Sequence, residues 1–97
     1  MANPQWKITG YDSTTPIYDG EAPSILTEEE IATMLQRLVA RHLSEAEVVA
    51  ASLRKNLSGY APLLECIIDR TGEKGVAVTV GSNPHYIAFR KRIATRP

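Results

Sequence analysis

The sequence predicts an α+β fold, in which two or three helices pack on a small antiparallel sheet. Three observations lead to this fold class. The first is a pair of helix-start signals between residues 27 and 47. The second is the alternation of residues 76–80, which is typical of a strand. The third is a four-residue turn that joins residues 76–80 to a second alternating segment. The 97 residues are 43% hydrophobic and 23% charged, which is typical of one globular domain. We therefore expect a single domain over residues 1–97.

Residues 1–24 leave two alternatives open. Segments 5–9 and 16–18 resemble short strands, and the turn-rich segment 10–15 separates them. One alternative is an N-terminal strand that joins the C-terminal hairpin. The other is a partly flexible arm, because Pro4 and Pro16 both weaken a strand's hydrogen bonding.

Two capping boxes predict the first two helices. In the first, Thr27 precedes Glu30 by three residues, and an apolar stripe at 31, 34, 35, 38 and 39 follows. It predicts a helix over 28–42. In the second, Ser44 precedes Glu47 in the same way, and Gly59 is a natural stop signal. It predicts a helix over 45–57.

Two later segments can be interpreted as either helix or strand. Pro62 could open a third helix over 62–70, whereas the pair Ile67-Ile68 favours a strand. We favour the helix there. Residues 85–92 alternate, with Tyr86, Arg90 and Arg92 on one face. We favour a strand there, although Pro84 could instead start a helix through residue 93.

Composition and motifs point away from catalysis. Cys66 is the only cysteine, and its one conceivable base is His42 or His85. Cys66 lies in the most apolar stretch, where we expect a buried, inert thiol. We therefore predict a protein that is not an enzyme, with no metal and no cofactor. The N-terminus lacks a signal-peptide pattern and no apolar run could span a bilayer, so we expect a soluble, cytoplasmic protein without membrane contact.

Charge is divided between the two halves of the chain. Lys and Arg total 11, as do Asp and Glu, yet residues 1–48 carry a net charge of −5 and residues 49–97 a net charge of +5. The basic C-terminal segment is the best candidate contact site, together with two cations near the end of the second predicted helix. The candidate residues are Tyr86, Arg90, Lys91, Arg92, Arg54 and Lys55. A simpler interpretation is a solvated basic terminus with Phe89 in the core.

These observations do not identify a specific function. The leading hypothesis is a small non-enzymatic protein-interaction or regulatory module, with a protein partner or self-association, because the charge split suits contact between surfaces. The alternative is nucleic-acid binding, in which the basic groups neutralise phosphates and an aromatic ring stacks on a base. The net charge of zero counts against this alternative.

Overall fold

The structure, a computed structural model, describes residues 5–91 of the chain. Its elements are β1 (Trp6–Asp12), β2 (Thr15–Ala22), α1 (Glu28–Ala40), α2 (Glu45–Ser52), β3 (Cys66–Asp69), β4 (Gly75–Gly81) and β5 (His85–Lys91). The strands form one antiparallel sheet in the order β2-β1-β5-β4-β3, and α1 packs on one face of it. The predicted α+β class is confirmed, with a larger sheet than expected.

The first two strands form a hairpin at one side of the sheet. Both are longer than the predicted segments 5–9 and 16–18. Pro16 fits because β2 is an edge strand, which needs hydrogen-bond partners on one side only. The amide of Ser13, in the hairpin turn, donates to Asn83 Oδ1 at 2.8 Å. This bond ties the N-terminal turn to the turn between β4 and β5.

Helix α1 begins where the capping box predicts. The Glu30 amide donates to Thr27 Oγ1 at 3.1 Å, and the Thr27 amide donates to Glu30 Oε1 at 2.9 Å. The helix ends at Ala40, two residues before the predicted end, because the amides of His42 and Leu43 bond to carbonyls three residues back and tighten the last turn. As a result, Ser44 caps α2 only a few residues after α1 ends.

Helix α2 starts at the predicted residue but stops at Ser52, well before the predicted end at residue 57. The physical reason lies in one carbonyl group. In a longer helix the Ala50 carbonyl would accept from the Arg54 amide, but here it accepts from the amides of Leu53 and Ala61. None of the residues in α2 is buried, so packing does not favour a longer helix.

The predicted third helix over 62–70 is wrong, and the alternative strand is correct. Cys66 pairs with Val80 and Ile68 with Val78, which places β3 at the edge beside β4. Pairing with β4 satisfies the backbone groups of both strands, a long-range gain that local sequence signals do not contain. The favoured strand at the C-terminal end is confirmed over His85–Lys91, and Arg92, the last residue of that predicted strand, lies outside the described residues.

The core lies between α1 and the inner face of the sheet. Helix α1 contributes Ile31, Leu35 and Val39, each at most 1% exposed. The strands contribute the remaining buried apolar residues, which are Trp6, Ile8, Ala22, Val78, Val80, Tyr86 and Ala88. The Trp6 indole donates to the Leu26 carbonyl at 3.0 Å, which fixes the segment that leads into α1.

Gly10 makes room for the ring of Tyr86 on the central strand of the sheet. It lies directly opposite Tyr86 on the neighbouring strand, and a Cβ at residue 10 would stand 2.5 Å from the Tyr86 ring. The ring has little freedom to move, because Tyr86 is 2% exposed and its hydroxyl is 2.9 Å from His42 Nε2. Glycine at this position is therefore a packing requirement.

We predict that Gly10→Ala lowers the free energy of unfolding by about 1–3 kcal/mol, the usual cost of overpacking a core. Urea unfolding measures this change. The matched control is Gly72→Ala, where the added Cβ would meet its nearest neighbour at an ordinary 3.4 Å. Equal stability of the two variants would contradict the packing described for Tyr86.

Candidate binding surface

The structure separates the candidate residues predicted from the sequence. Tyr86 and Arg90 lie on the inner side of β5, whereas Lys91 points to the opposite side. Arg54 and Lys55 are exposed in the turns after α2, where Lys55 Nζ lies 3.7 Å from Glu65 Oε2. Arg92 lies outside the described residues. The predicted alternation of β5 is thus present in the described part of the strand, but these side chains do not share one surface.

Arg90 is held by contacts within the fold. Its guanidinium lies 4.5 Å from the centroid of the Trp6 ring, in a cation–π arrangement. Its Nη1 also donates to the Ser24 carbonyl at 2.9 Å. The side chain is half-buried, so it closes the core beside the segment that leads into α1. Arg90 is therefore a packing residue of this end of the sheet.

Neither histidine is bonded to the thiol of Cys66. His42 bonds to Tyr86, and His85 Nδ1 lies 3.1 Å from the Ser82 carbonyl. Burial raises the pKa of the Cys66 thiol, which disfavours the nucleophilic thiolate. In the stretch 5–91, no group of three or more His, Cys, Asp or Glu side chains could hold a metal ion.

Cys66 lines a pocket of about 440 Å³ between α1, α2 and β3. The other groups at this pocket are already bonded to one another. Gln36 Nε2 donates to the Leu64 carbonyl at 2.8 Å, and the Tyr60 hydroxyl donates to Glu65 Oε2 at 2.6 Å. That hydrogen bond raises the pKa of Tyr60, which keeps the phenol protonated. These contacts hold the irregular segment 53–65 against the helices.

The outer side of the sheet presents a different surface, which we call the open face. Side chains alternate along each strand, so the residues between the core positions point away from α1. One row across the strands is Asp19, Thr9, Ile87, Thr79 and Ile67. The adjacent row is Glu21, Lys7, Phe89, Ala77 and Asp69. Helix α2 lies on the inner side of the sheet, as α1 does. It shares a pocket with Gln36 of α1 and with Cys66, which is in the inner row of β3.

The open face has an apolar centre, formed by Phe89 and Ile87 of the central strand β5. Phe89 is 37% exposed and Ile87 is half-buried. Ile67 is in the row of Ile87 but on the edge strand β3, and it is 68% exposed. Phe89 is thus not in the core, contrary to the simpler interpretation of the sequence. Exposed large apolar side chains that are grouped together are typical of interaction sites, whereas isolated ones are ordinary.

A pocket of about 400 Å³ lies at one end of the open face. Phe89 and Ala77 form its apolar wall, Gly75 is beside them, and Asp69 lies at the rim. Gly75 is needed there, because a Cβ would stand 2.8 Å from the Phe89 ring and closer still to the Arg90 carbonyl. We call this the Phe89 pocket.

The open face was missed at the level of sequence because its members are spread over five strands. The alternation of residues 85–91 assigned Phe89 and Lys91 to one side, but the register that aligns Phe89 with Lys7, and Ile87 with Ile67, appears only in the sheet. One available signal was the number of amphipathic helices. Only the first predicted helix has a broad apolar stripe, and one such helix covers one face of a sheet.

Compared with protein-family models, with curated proteins and with solved structures, this chain matches none. Across residues 5–91, no helix is long and apolar enough to cross a membrane.

The packing role of Arg90 gives a direct prediction. Arg90→Ala should lower the free energy of unfolding by about 1–2 kcal/mol, because the contact with the Trp6 ring and the bond to the Ser24 carbonyl are both lost. Lys91→Ala is the control and should change stability by less than about 0.5 kcal/mol, since Lys91 is exposed.

Urea unfolding followed through the fluorescence of Trp6, the one tryptophan in the chain, measures both variants. An Arg90→Ala variant as stable as the Lys91→Ala variant would show that Arg90 is free to bind a partner.

Proposed function

We propose that this chain is a non-enzymatic protein-interaction module that binds a partner protein through the open face of its sheet. The observation that carries the proposal is that α1 covers one face of the sheet, while the opposite face exposes Ile67 and Phe89, with the half-buried Ile87 beside Phe89 on β5 and the Phe89 pocket at one end. A partner that covers these side chains gains the free energy of removing apolar surface from water.

The same face supports a protein partner better than a nucleic acid. The sequence-based alternative relied on Tyr86 and Arg90, and both are engaged on the inner side with His42 and Trp6. On the open face the edge strands carry Asp19, Glu21 and Asp69, which repel phosphates. Nucleic-acid binding therefore becomes an outcome to be tested.

Site-specific photo-crosslinking tests the proposal. A photoreactive phenylalanine analogue replaces Phe89 on the open face, and in a second variant it replaces Ile25, which is 85% exposed but lies in the segment before α1. After irradiation in cells that express the chain, we expect one dominant protein adduct from position 89 and none from position 25. The adduct partner, once purified, must bind the unlabelled chain.

A surface variant completes this test. Ile67→Asp introduces a charge at a side chain that is 68% exposed, so it should leave folding intact. It should weaken binding of the purified partner at least tenfold, because it removes the most exposed of the apolar side chains named on this face. The proposal is wrong if positions 89 and 25 give the same adducts or none, if the adducts are removed by nuclease, or if Ile67→Asp binds as the wild type does.

A further inference from the structure

The two edge strands give the open face an acidic border on both sides. Strand β2 contributes Asp19 and Glu21, and β3 contributes Asp69. The Thr71 hydroxyl and amide donate to Asp69 Oδ1 at 2.6 and 2.9 Å, and these bonds lower the pKa of that carboxyl group. Asp69 therefore stays ionised at neutral pH, and it is exposed to solvent at this edge.

The cations of the same face lie inside this border. Lys7 is on β1, directly opposite Glu21, so its charge is offset by a neighbour on the adjacent strand. Lys91 is at the end of β5, opposite Gly75. The loop between β3 and β4 adds one charge of each sign, Glu73 and Lys74. The unbalanced charge on the edges is thus negative, and it lies on both sides of the apolar centre.

We infer that the open face binds a basic amphipathic helix of a partner protein, with its apolar side on Phe89 and Ile87 and its Lys or Arg side chains reaching the acidic edges. This inference rests on the proposed function and names the chemistry of its partner. It stands on charge complementarity and on the dimensions of the sheet.

The dimensions suit a helix that lies along the central strand. From β2 to β3 there are four strand spacings, a width of about 19 Å. A helix with its side chains is about 10–12 Å across, which leaves about 4 Å on each side when it is centred on β5. The flexible stems of Lys and Arg cross such a gap over apolar surface while their charged ends reach the carboxylates.

The Phe89 pocket supplies an anchor for this helix. It is open on the same face, and its apolar wall of Phe89 and Ala77 suits a Leu or Met side chain. Asp69 at its rim can then pair with a Lys or Arg one turn away along the helix. A buried apolar anchor beside an ion pair is the arrangement that dominates binding free energy in protein interfaces.

A second copy of this chain fits the face less well. Sheets that pack face to face in the aligned mode keep their strands within about 30° of each other, and a symmetric dimer has a two-fold axis. An axis along the strands would place β2 over β3, so that Asp19 and Glu21 meet Asp69. An axis across the strands would place β2 over β2, so that the same carboxylates meet their own copies. Either arrangement brings like charges together, which is unfavourable.

The test uses the full chain and a synthetic helical peptide of about four turns, a length that matches a seven-residue strand. The peptide carries Leu along one side and Lys on both flanks, and its matched control has Glu in place of every Lys. Binding is measured by fluorescence anisotropy at low and moderate salt, and its location by backbone amide NMR shifts. Single-stranded RNA and DNA oligonucleotides form a third arm.

We expect the Lys peptide to bind with an affinity that falls as salt rises, and to shift the amides of β5 and β3 around Phe89 and Ile67. Asp69→Asn and Asp19→Asn should each weaken binding about two- to fivefold, the effect of one exposed ion pair. The double substitution should weaken it by about the product of the two effects. A control substitution outside the face, Glu29→Gln on α1, should leave the affinity unchanged.

The inference is overturned if the Glu peptide binds as tightly, if no peptide binds at millimolar concentration, or if the aspartate variants bind as the wild type does. Preferential binding of oligonucleotides, or a concentration-dependent dimer that Ile67→Asp dissociates, would also overturn it. If the peptide experiment fails but residue 89 gives position-specific crosslinks, the open face binds a partner of other chemistry. Failure of both experiments would remove the proposed function itself.

Discussion

The structure depends on the packing of one amphipathic helix against one face of a five-stranded sheet. Helix α1 has thirteen residues and buries Ile31, Leu35 and Val39, which gives it a single apolar stripe. The second helix has eight residues and buries none of them. A sheet has two faces, and in the described part of the chain only one apolar helix is available to cover them. The open face is the direct consequence of this constraint.

The inner face accounts for several side chains that look functional in the sequence. Trp6 receives Arg90 on its ring, and Tyr86 fills the space that Gly10 leaves and bonds to His42. A basic group and a tyrosine that would suit nucleic-acid binding therefore stabilise the fold instead. The surface that remains available has a different composition, with apolar residues at its centre and carboxylates at its edges.

Much of the fold could be predicted from local signals, because some interactions act over only a few residues. The capping boxes of Thr27 and Ser44 gave the starts of both helices, since each box is a pair of hydrogen bonds within one turn. The alternation of residues 76–80 marked β4. The early end of α2 depended on a bond from Ala61, eleven residues along the chain, which no local pattern contains.

The candidate binding surface was harder to predict, because it is defined by register. Strand β3 forms by pairing with β4, whereas the local pattern of 62–70 favoured a helix. Without β3 there is no acidic edge at Asp69 and no row that joins Ile67 to Ile87. The division of charge between the two halves of the chain does not by itself locate a binding surface, since strands from both halves lie side by side in one sheet.

One face of the sheet is covered by α1 and the other is exposed to solvent. Methyl NMR with a soluble paramagnetic probe distinguishes the two faces, at a protein concentration low enough for a monomer. We expect strong broadening of the methyl signals of Ile67, weaker broadening for the half-buried Ile87, and sharp signals from Ile8 and Ile31, which are at most 1% exposed. Equal protection of all four isoleucines would mean that the open face is covered, contrary to this structure.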